Sequence, residues 1–348
     1  MTNLRQYDAP RAAAYEARRA GSPMWTREAQ ILAGYLSRSA PGQSVVDVPV
    51  GTGRFAGEYD ERGLLAAGVD LSAEMLRQAG AKPYRWTSLQ VGDIRSLAAA
   101  ADWVVCVRLL NWLDPADMTA AVVAVGRCAR QWAVIGIRHS VEPEPLPESG
   151  TQTHHTVAWH AALAAAGLVD VRRELVTGHP GGGYWLYLCK PVVRAGPVAV
   201  PGPVDIVAHS TAGKTSFCRE ISGRWGAWTI LDMEMLVKIG QWHGRPGTLS
   251  EQATRHGERV VILSNAHKDP RPAAGGIGLA VFPPLDDIEA NQARRRSAYS
   301  GRVAPQGSAD AACVGQWRET MAGWVSDARV PVAQSFREAM RYATGSGQ

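Results

Sequence analysis

Val45-Val-Asp-Val-Pro-Val-Gly-Thr-Gly-Arg-Phe55 is an apolar run that breaks at Pro49, Gly51 and Gly53. Such a run reads as a buried strand leaving its sheet through a turn, whose glycines let the backbone approach a ligand before a helix begins. A second strand, Gly68-Val-Asp-Leu71, ends on Asp70, 23 residues after Asp47. Ser72-Ala-Glu74 behind it is a capping pattern for the next helix. In a Rossmann-like sheet an acid at the end of the second strand is positioned to bind a ribose diol. Val91-Gly-Asp-Ile94 contributes another acid, Asp93, and Ala101-Asp-Trp-Val-Val-Cys-Val107 has the continuous apolar character of a strand buried on both faces. The order is βαβαβ. Ahead of it, residues 9–38 are rich in Ala, Arg and Glu at helical spacing, punctuated by Pro10 and Pro23, which predicts two helices.

Together these segments resemble the class I S-adenosylmethionine-dependent methyltransferases. The residues that carry the resemblance are 45–54, Gly68-Val-Asp-Leu-Ser-Ala-Glu-Met-Leu76, Gly92-Asp-Ile94 and Asp102–Leu113. It continues through Gln131–Arg138 as a fifth strand and Thr156–Gly167 as a helix ending in Ala-Ala-Gly. Val169–Val176 and Gly183–Lys190 then form a terminal β-hairpin. By that resemblance Gly51 and Gly53 would approach the methionine part of S-adenosylmethionine, Asp70 the ribose hydroxyls, and Asp93 with Ile94 the adenine. Asp47 and Leu71 belong to the same cofactor-binding set, and Arg108 and Leu109 would face cofactor and acceptor. Pro49 departs from the family, which often has its first glycine there, so the turn falls to Val50 and Gly51. An NAD-binding sheet is the competing reading, but the three-glycine dinucleotide fingerprint is absent. A domain that binds the cofactor without transferring a methyl group is the other.

Methyl transfer from a sulfonium needs little acid–base help when the acceptor is already nucleophilic, so positioning carries it. His139, His154, His155 and His160 fall where the acceptor side is expected and are candidate bases, with surface or capping roles as the plainer alternative. Arg108-Leu-Leu-Asn-Trp112 stands where amino-methylating DNA enzymes carry an Asn/Asp-Pro-Pro-Tyr run, which argues against that activity. Glu142–Glu148 reads as an extended acidic connection.

The chain then changes character. Residues 191–203 carry four prolines and read as a semi-stiff linker, separating a domain at 1–190 from one at 204–348. After it, Pro203-Val-Asp-Ile-Val207 runs into Ala208-His-Ser-Thr-Ala-Gly-Lys-Thr215, a strand, a phosphate loop and the start of a helix. The backbone N–H groups from His209, Ser210, Thr211, Ala212 and Gly213 through Ser216 can wrap a polyphosphate. Lys214 can neutralise it and the Thr215 hydroxyl can hold Mg²⁺. Further strands follow at Ala227–Glu234, Arg259–Asn265 and Gly278–Phe282. This part resembles P-loop kinases of small molecules and nucleotides. The resemblance implies ATP or another nucleoside triphosphate as donor and Mg²⁺ as metal. Asp232 and Glu234 would contact the acceptor hydroxyl or Mg²⁺, and Arg294 and Arg295, in the run Arg294–Arg296, would neutralise the transferred phosphoryl group. Val260-Val-Ile-Leu-Ser-Asn265 lacks the strand-ending Asp-Glu of motor ATPases. The tail carries Trp317, Met321, Trp324, Val325, Phe336 and Met340 at helical spacing, read as core-facing.

At 348 residues, with 46% apolar and 20% charged residues, the chain has the size and balance of two globular α/β domains, and no apolar run is long enough for a membrane helix. No membrane partner is expected. The start lacks a signal peptide's apolar centre and the five cysteines have no metal or redox spacing, so a reducing cytoplasm is the expectation. A net charge of +5 is compatible with a nucleotide or nucleic-acid acceptor and does not select it over a small metabolite. The sequence thus predicts a bifunctional enzyme, a methyltransferase followed by a phosphotransferase. The alternatives are the same two activities on a small metabolite, or a non-catalytic sensor of S-adenosylmethionine and ATP.

Overall fold

The computed structural model describes residues 9–19, 21–143, 151–178, 182–192, 204–208, 217–218, 220–221, 224–225, 228–232, 260–265, 277–298, 311–327 and 330–344. The chain divides into two compact units, Met1–Pro191 and Val192–Gln348. Residues 193–203, where the linker is expected, lie outside the described residues.

The first unit opens with two helices, α1 (Ala9–Ala13) and α2 (Pro23–Leu36). Strand β1 (Ser44–Asp47) leads through the glycine turn to α3 (Ala56–Glu61), β2 (Leu65–Asp70), α4 (Ala73–Gly80) and β3 (Trp86–Val91). Then come β4 (Ala101–Cys106), α5 (Pro115–Cys128), β5 (Ala129–Ser140), the short β6 (His154–His155) and α6 (Thr156–Ala165). Two long strands, β7 (Leu168–Thr177) and β8 (Gly183–Pro191), close the unit. The sheet order is β3-β2-β1-β4-β5-β8-β7, with β6 paired to β5. Strands β1 to β5 pair in parallel, whereas β8 is antiparallel to both β5 and β7. This is a Rossmann-like sheet of mixed sense, its parallel half in the order 3-2-1-4-5.

Local chemistry explains the boundaries. The Ser72 hydroxyl accepts from the Met75 N–H at 3.3 Å and so caps α4, and Asp114 accepts from the Asp117 N–H at 2.8 Å at the start of α5 with Pro115 behind it. Consecutive strand residues pack on opposite faces. Val45, Trp103, Val105 and Val134 lie with Ile31, Leu32, Tyr35 and Tyr59 under α2 and α3. Val46, Val104, Cys106 and Ile135 lie with Val122, Val125 and Trp159 under α5 and α6. Both faces being covered is why these strands read as unbroken apolar runs.

The second unit holds β9 (Val204–Ala208), β10 (Arg224–Trp225), β11 (Trp228–Asp232), β12 (Val260–Asn265), β13 (Ile277–Val281) and β14 (Val332–Ala333). Helices α7 (Leu285–Ala298), α8 (Ala311–Asp327) and α9 (Phe336–Thr344) accompany them. The sheet order is β10-β11-β12-β9-β13-β14, parallel except for β10. Val204, Ile206, Ala208, Val261 and Leu263 form its core with Phe336, Ala339 and Met340 of α9, and Phe217 stacks on Phe336 at 5.5 Å. Strands β10 and β14 are two-residue pairings too short to show a period in the sequence.

Among the described residues no helix is long and apolar enough to cross a membrane. Cys106, Cys128, Cys189 and Cys218 are buried.

Gly126 is where α5 meets the end of α6: a Cβ there would sit 2.2 Å from the Ala166 carbonyl oxygen. In an open helix Gly→Ala stabilises by up to about 1 kcal/mol. Here Gly126→Ala should instead cost about 1–3 kcal/mol by forcing the helices apart. Calorimetric unfolding of the full chain reads the sign, and an unchanged or raised midpoint would refute this packing.

Candidate active site

Neighbouring strands β1 and β4 send the chain in opposite directions, β1 toward β2 and β4 toward β5. Their carboxyl ends therefore diverge and leave a crevice, the usual ligand position in a doubly wound sheet. A cavity of about 1300 Å³ occupies it, lined among others by Gly51, Asp70, Leu71, Asp93, Ile94, Arg108 and Leu109. Gly51 and Gly53 take positive φ of 56° and 69°, and the Val48–Pro49 peptide is cis. The turn is thus open to glycine where L side chains are disfavoured.

Asp70 organises the floor. Its Oδ2 accepts from the Gly51 N–H at 2.9 Å and its Oδ1 from the Ser72 N–H at 2.8 Å. Burial pushes its carboxyl above the usual range, opposed by N–H donation from Ser72, Gly51 and Leu71. Asp93 is engaged differently. The Arg95 guanidinium donates to it at 3.0 Å, which holds the Asp93 carboxyl below the usual range, and Arg95 also bonds Asp117 at 2.7 Å. Asp93 also accepts from the Arg95 N–H at 2.8 Å, capping a turn at Ile94–Ser96.

Asp47 and Gly53 do not line the cavity. Asp47 is buried beneath the turn, where the Tyr59 hydroxyl donates to its Oδ2 at 2.9 Å. Burial pushes its pKa up to about 7, against the Tyr59 bond and the nearby Arg54 charge. Gly53 packs against the sheet side, since a Cβ there would lie 2.9 Å from the Trp86 ring. Both shape the turn from behind. Nor do His139, His154, His155 and His160 line the cavity. His139 is buried between the Thr156 hydroxyl at 3.0 Å and the Tyr187 hydroxyl at 2.6 Å, His154 meets the Leu110 carbonyl at 2.9 Å, and His155 accepts from the Val157 N–H to cap α6. The candidate role of a histidine base on the acceptor side is not met, and the plainer structural and capping roles fit these contacts: strand alternation turns His139 to the face opposite Arg138.

The residues that sequence reading missed come from the N-terminal helices and the terminal hairpin. Tyr15 and Trp25 form part of the cavity wall with Tyr184 of β8. Behind them Glu28 of α2, fully buried, receives Arg108 Nε at 2.6 Å, Arg108 Nη2 at 3.0 Å and Arg54 Nη1 at 2.6 Å. Arg54 also lies 4.7 Å over the Trp25 ring and 4.1 Å from the Phe55 ring centroid. Burial alone would lower the Arg108 pKa, and the Glu28 charge outweighs it. Arg108 has φ 70°, strained for a residue with a side chain, and its N–H donates to the Tyr184 hydroxyl at 3.2 Å. No local pattern marks these partners, which lie 26 and 80 residues from Glu28.

Chemically, the cavity offers a glycine turn, two carboxylates already held by donors, tyrosines and arginines, and among the described residues no histidine or cysteine lines it. That set binds and orients; it does not form a nucleophile–base pair.

In the second unit, Asp232 ends β11, and Arg294 and Arg295 fall on α7. The phosphate-loop residues His209, Ser210, Thr211, Ala212, Gly213, Lys214, Thr215 and Ser216, and also Glu234 and the 144–150 part of the acidic connection, lie outside the described residues. Among the described residues no cluster of His, Cys, Asp or Glu could hold a metal ion.

Residues 45–131 match the family model described as a methyltransferase domain. No curated protein sequence matches the chain. Among solved structures it is similar to magnesium protoporphyrin IX methyltransferase of Synechocystis with bound S-adenosylhomocysteine, at 16% identity and TM-score 0.42, covering 48% of this chain and 84% of that one. It is also similar to the 1,6-didemethyltoxoflavin-N1-methyltransferase of Burkholderia thailandensis (18% identity, TM-score 0.41, 51% and 84% covered). A third is a S-adenosylmethionine-dependent methyltransferase of Leishmania major (11% identity, TM-score 0.44, 51% and 78% covered). These are distant likenesses.

Two outcomes follow from the buried charges. Because Asp47 has a folded pKa of about 7, above its unfolded value, its contribution to stability is present below pH ~4 and is lost as pH rises through about 7. Asp47→Asn should come closest to the wild type at or below pH ~4 and exceed it at pH 8 by a few kcal/mol, on the order of 4 at most. Parallel curves of melting midpoint against pH for the two proteins would contradict this. Glu28→Gln, which leaves two arginines facing each other, should cost about 3–5 kcal/mol in the same melts.

Proposed function

We propose that the N-terminal unit binds S-adenosylmethionine and transfers its methyl group to an acceptor in the same cavity. The observation that carries this is the Asp70 carboxylate at the carboxyl end of β2, hydrogen-bonded to the glycine turn at Gly51 and facing the switch-point cavity. The donor set fits the cofactor: an acid for a ribose diol, a close-approach backbone at Gly51, and apolar Leu71 and Ile94 for an adenine. When bound, the cofactor supplies a methyl group activated by a sulfonium. Gly51 and Asp70 hold its position, Leu109 and Trp112 exclude water, and Arg108, fixed by Glu28, keeps the β4 end in place. Because no histidine lines the cavity among the described residues, we read the acceptor's nucleophilic atom as reactive without a strong base, its proton passing to water.

For the second unit we propose a P-loop phosphotransferase using ATP and Mg²⁺. What supports this is the parallel order β11-β12-β9-β13-β14, in which the first strand of the unit is central and runs directly into the Gly213-Lys214-Thr215 sequence. Its neighbour β13 continues to the opposite edge, so β9 and β13 diverge as β1 and β4 do. Asp232 ends β11, beyond β12. The two activities suit an acceptor that is methylated and phosphorylated, a nucleotide or nucleic acid being one class and a small metabolite another.

Methyl-labelled S-adenosylmethionine and γ-labelled ATP, incubated with nucleic acid, nucleotides and a metabolite extract, separate these classes. Binding of both without label transfer would make the protein a sensor. Asp70→Ala should weaken S-adenosylhomocysteine by about 1.5–3 kcal/mol in a calorimetric titration; unchanged affinity would remove Asp70 from the site. Lys214→Ala should abolish ATP turnover and leave S-adenosylhomocysteine affinity intact, whereas persisting turnover would exclude the loop.

A further inference from the structure

The cavity of the first unit is lined by seven arginines, and nearly all are accounted for. Arg54 and Arg108 clasp Glu28, and Arg95 spans Asp93 and Asp117. Arg18 donates to the carbonyls of Ala14 and Arg11, while Arg19 lies 5.0 Å over the Tyr15 ring. Arg138 is different. It stands near the carboxyl end of β5, its backbone N–H donates to the Asn111 side-chain oxygen at 3.0 Å, and its Nε is buried without a hydrogen-bond partner. No acidic side chain pairs with it among the described residues, and the electrostatic neighbours it has are Tyr184 and the like-charged Arg108.

We propose that Arg138 receives an anionic group, a carboxylate or a phosphate, belonging to the methyl acceptor, so that the substrate methylated here is an acid or a phosphate ester. This rests on the methyl-transfer reading of the cavity. A guanidinium fork matches both anions in shape, and a buried donor with no partner is costly unless a ligand completes it. Burial pushes the Arg138 pKa down and Arg108 adds to that, with Tyr184 opposing, so its charge is not balanced by an acid of the protein among the described residues. An anion balances it.

The location separates acceptor from cofactor. Asp70 ends β2 and Gly51 follows β1, whereas Arg138 lies on β5, with β1 and β4 between β2 and β5. Three strand spacings are about 14 Å. The β2 side is therefore the nucleoside end, and Arg138 sits past β4 beside Tyr184, its register partner on β8. The carboxylate of the cofactor's own methionine is the other source of the same chemistry, and the experiment distinguishes the two.

Full-length protein saturated with S-adenosylhomocysteine is titrated with benzoate, phenyl phosphate and the neutral benzamide, followed by ligand-observed NMR. One or both anions should bind about tenfold or more tightly than benzamide. Arg138→Gln should erase that preference and Arg138→Lys retain part of it, with melting midpoints confirming that both variants fold. A separate calorimetric titration of S-adenosylhomocysteine should give the same affinity for the wild type and Arg138→Gln within about twofold. Equal binding of benzamide, no saturable binding of either anion, or a preference that survives Arg138→Gln would overturn the proposal. So would a tenfold loss of S-adenosylhomocysteine affinity in Arg138→Gln, which would give Arg138 to the cofactor. Failure of the wild type to bind S-adenosylhomocysteine would instead overturn the methyl-transfer reading, while the anion preference, repeated without it, reports on Arg138 alone.

Discussion

The Glu28 carboxylate, buried in α2 and held by Arg54 and Arg108, is the constraint on which the first site depends. A buried anion must be paired and hydrogen-bonded or it will not stay ionised. Its two partners sit at the two lips of the crevice: Arg54 ends the glycine turn after β1, and Arg108 follows β4. One carboxylate therefore ties an N-terminal helix to both strands whose divergence makes the cavity. The Arg108 N–H, pointed at the Tyr184 hydroxyl, extends the same tie to β8 of the terminal hairpin. The strained backbone of Arg108 persists because its side chain is held by Glu28 and its N–H by Tyr184, at a cost of about 1–3 kcal/mol for such a conformation.

This arrangement assigns different work to residues that look alike in sequence. Asp47, Asp70 and Asp93 all end or follow strands, yet one is buried and close to neutral pH in its titration, one braces the glycine turn, and one is neutralised by Arg95. The difference is solvation and partner, not residue type. The same applies to the arginines. Two brace Glu28, one covers Asp93, and Arg138, which also lines the cavity, is left with a buried Nε that finds no hydrogen-bond partner.

The second unit repeats the logic of the first with different strand order. In both, a central first strand leads outward to one edge while a neighbour leads to the other, so each sheet has its own diverging pair of carboxyl ends. In the first unit the glycine turn after β1 borders the cavity, while the Gly-Lys-Thr sequence that follows β9 lies outside the described residues.

The sequence by itself determined the sheet. Apolar runs bounded by glycine, proline and acids marked the longer parallel strands of both units, though not the two-residue β6 and β14, and the Ser72 cap and closing hairpin as well, because burial on two faces writes itself into consecutive residues. It also marked Gly51, Asp70, Leu71, Asp93, Ile94, Arg108 and Leu109, which do share one cavity, since the carboxyl ends of adjacent parallel strands lie along one edge of the sheet whatever loops join them. It could not assign Asp47 and Gly53 to the back of the turn, turn His139 away from the cavity, or find Glu28, Tyr184 and Arg138. Those depend on which face a side chain takes and on partners tens of residues away, and only tertiary packing decides both. A lone glutamate in a helix and an arginine in a strand carry no period; they acquire meaning when the fold removes their water and leaves one with two partners and the other with none.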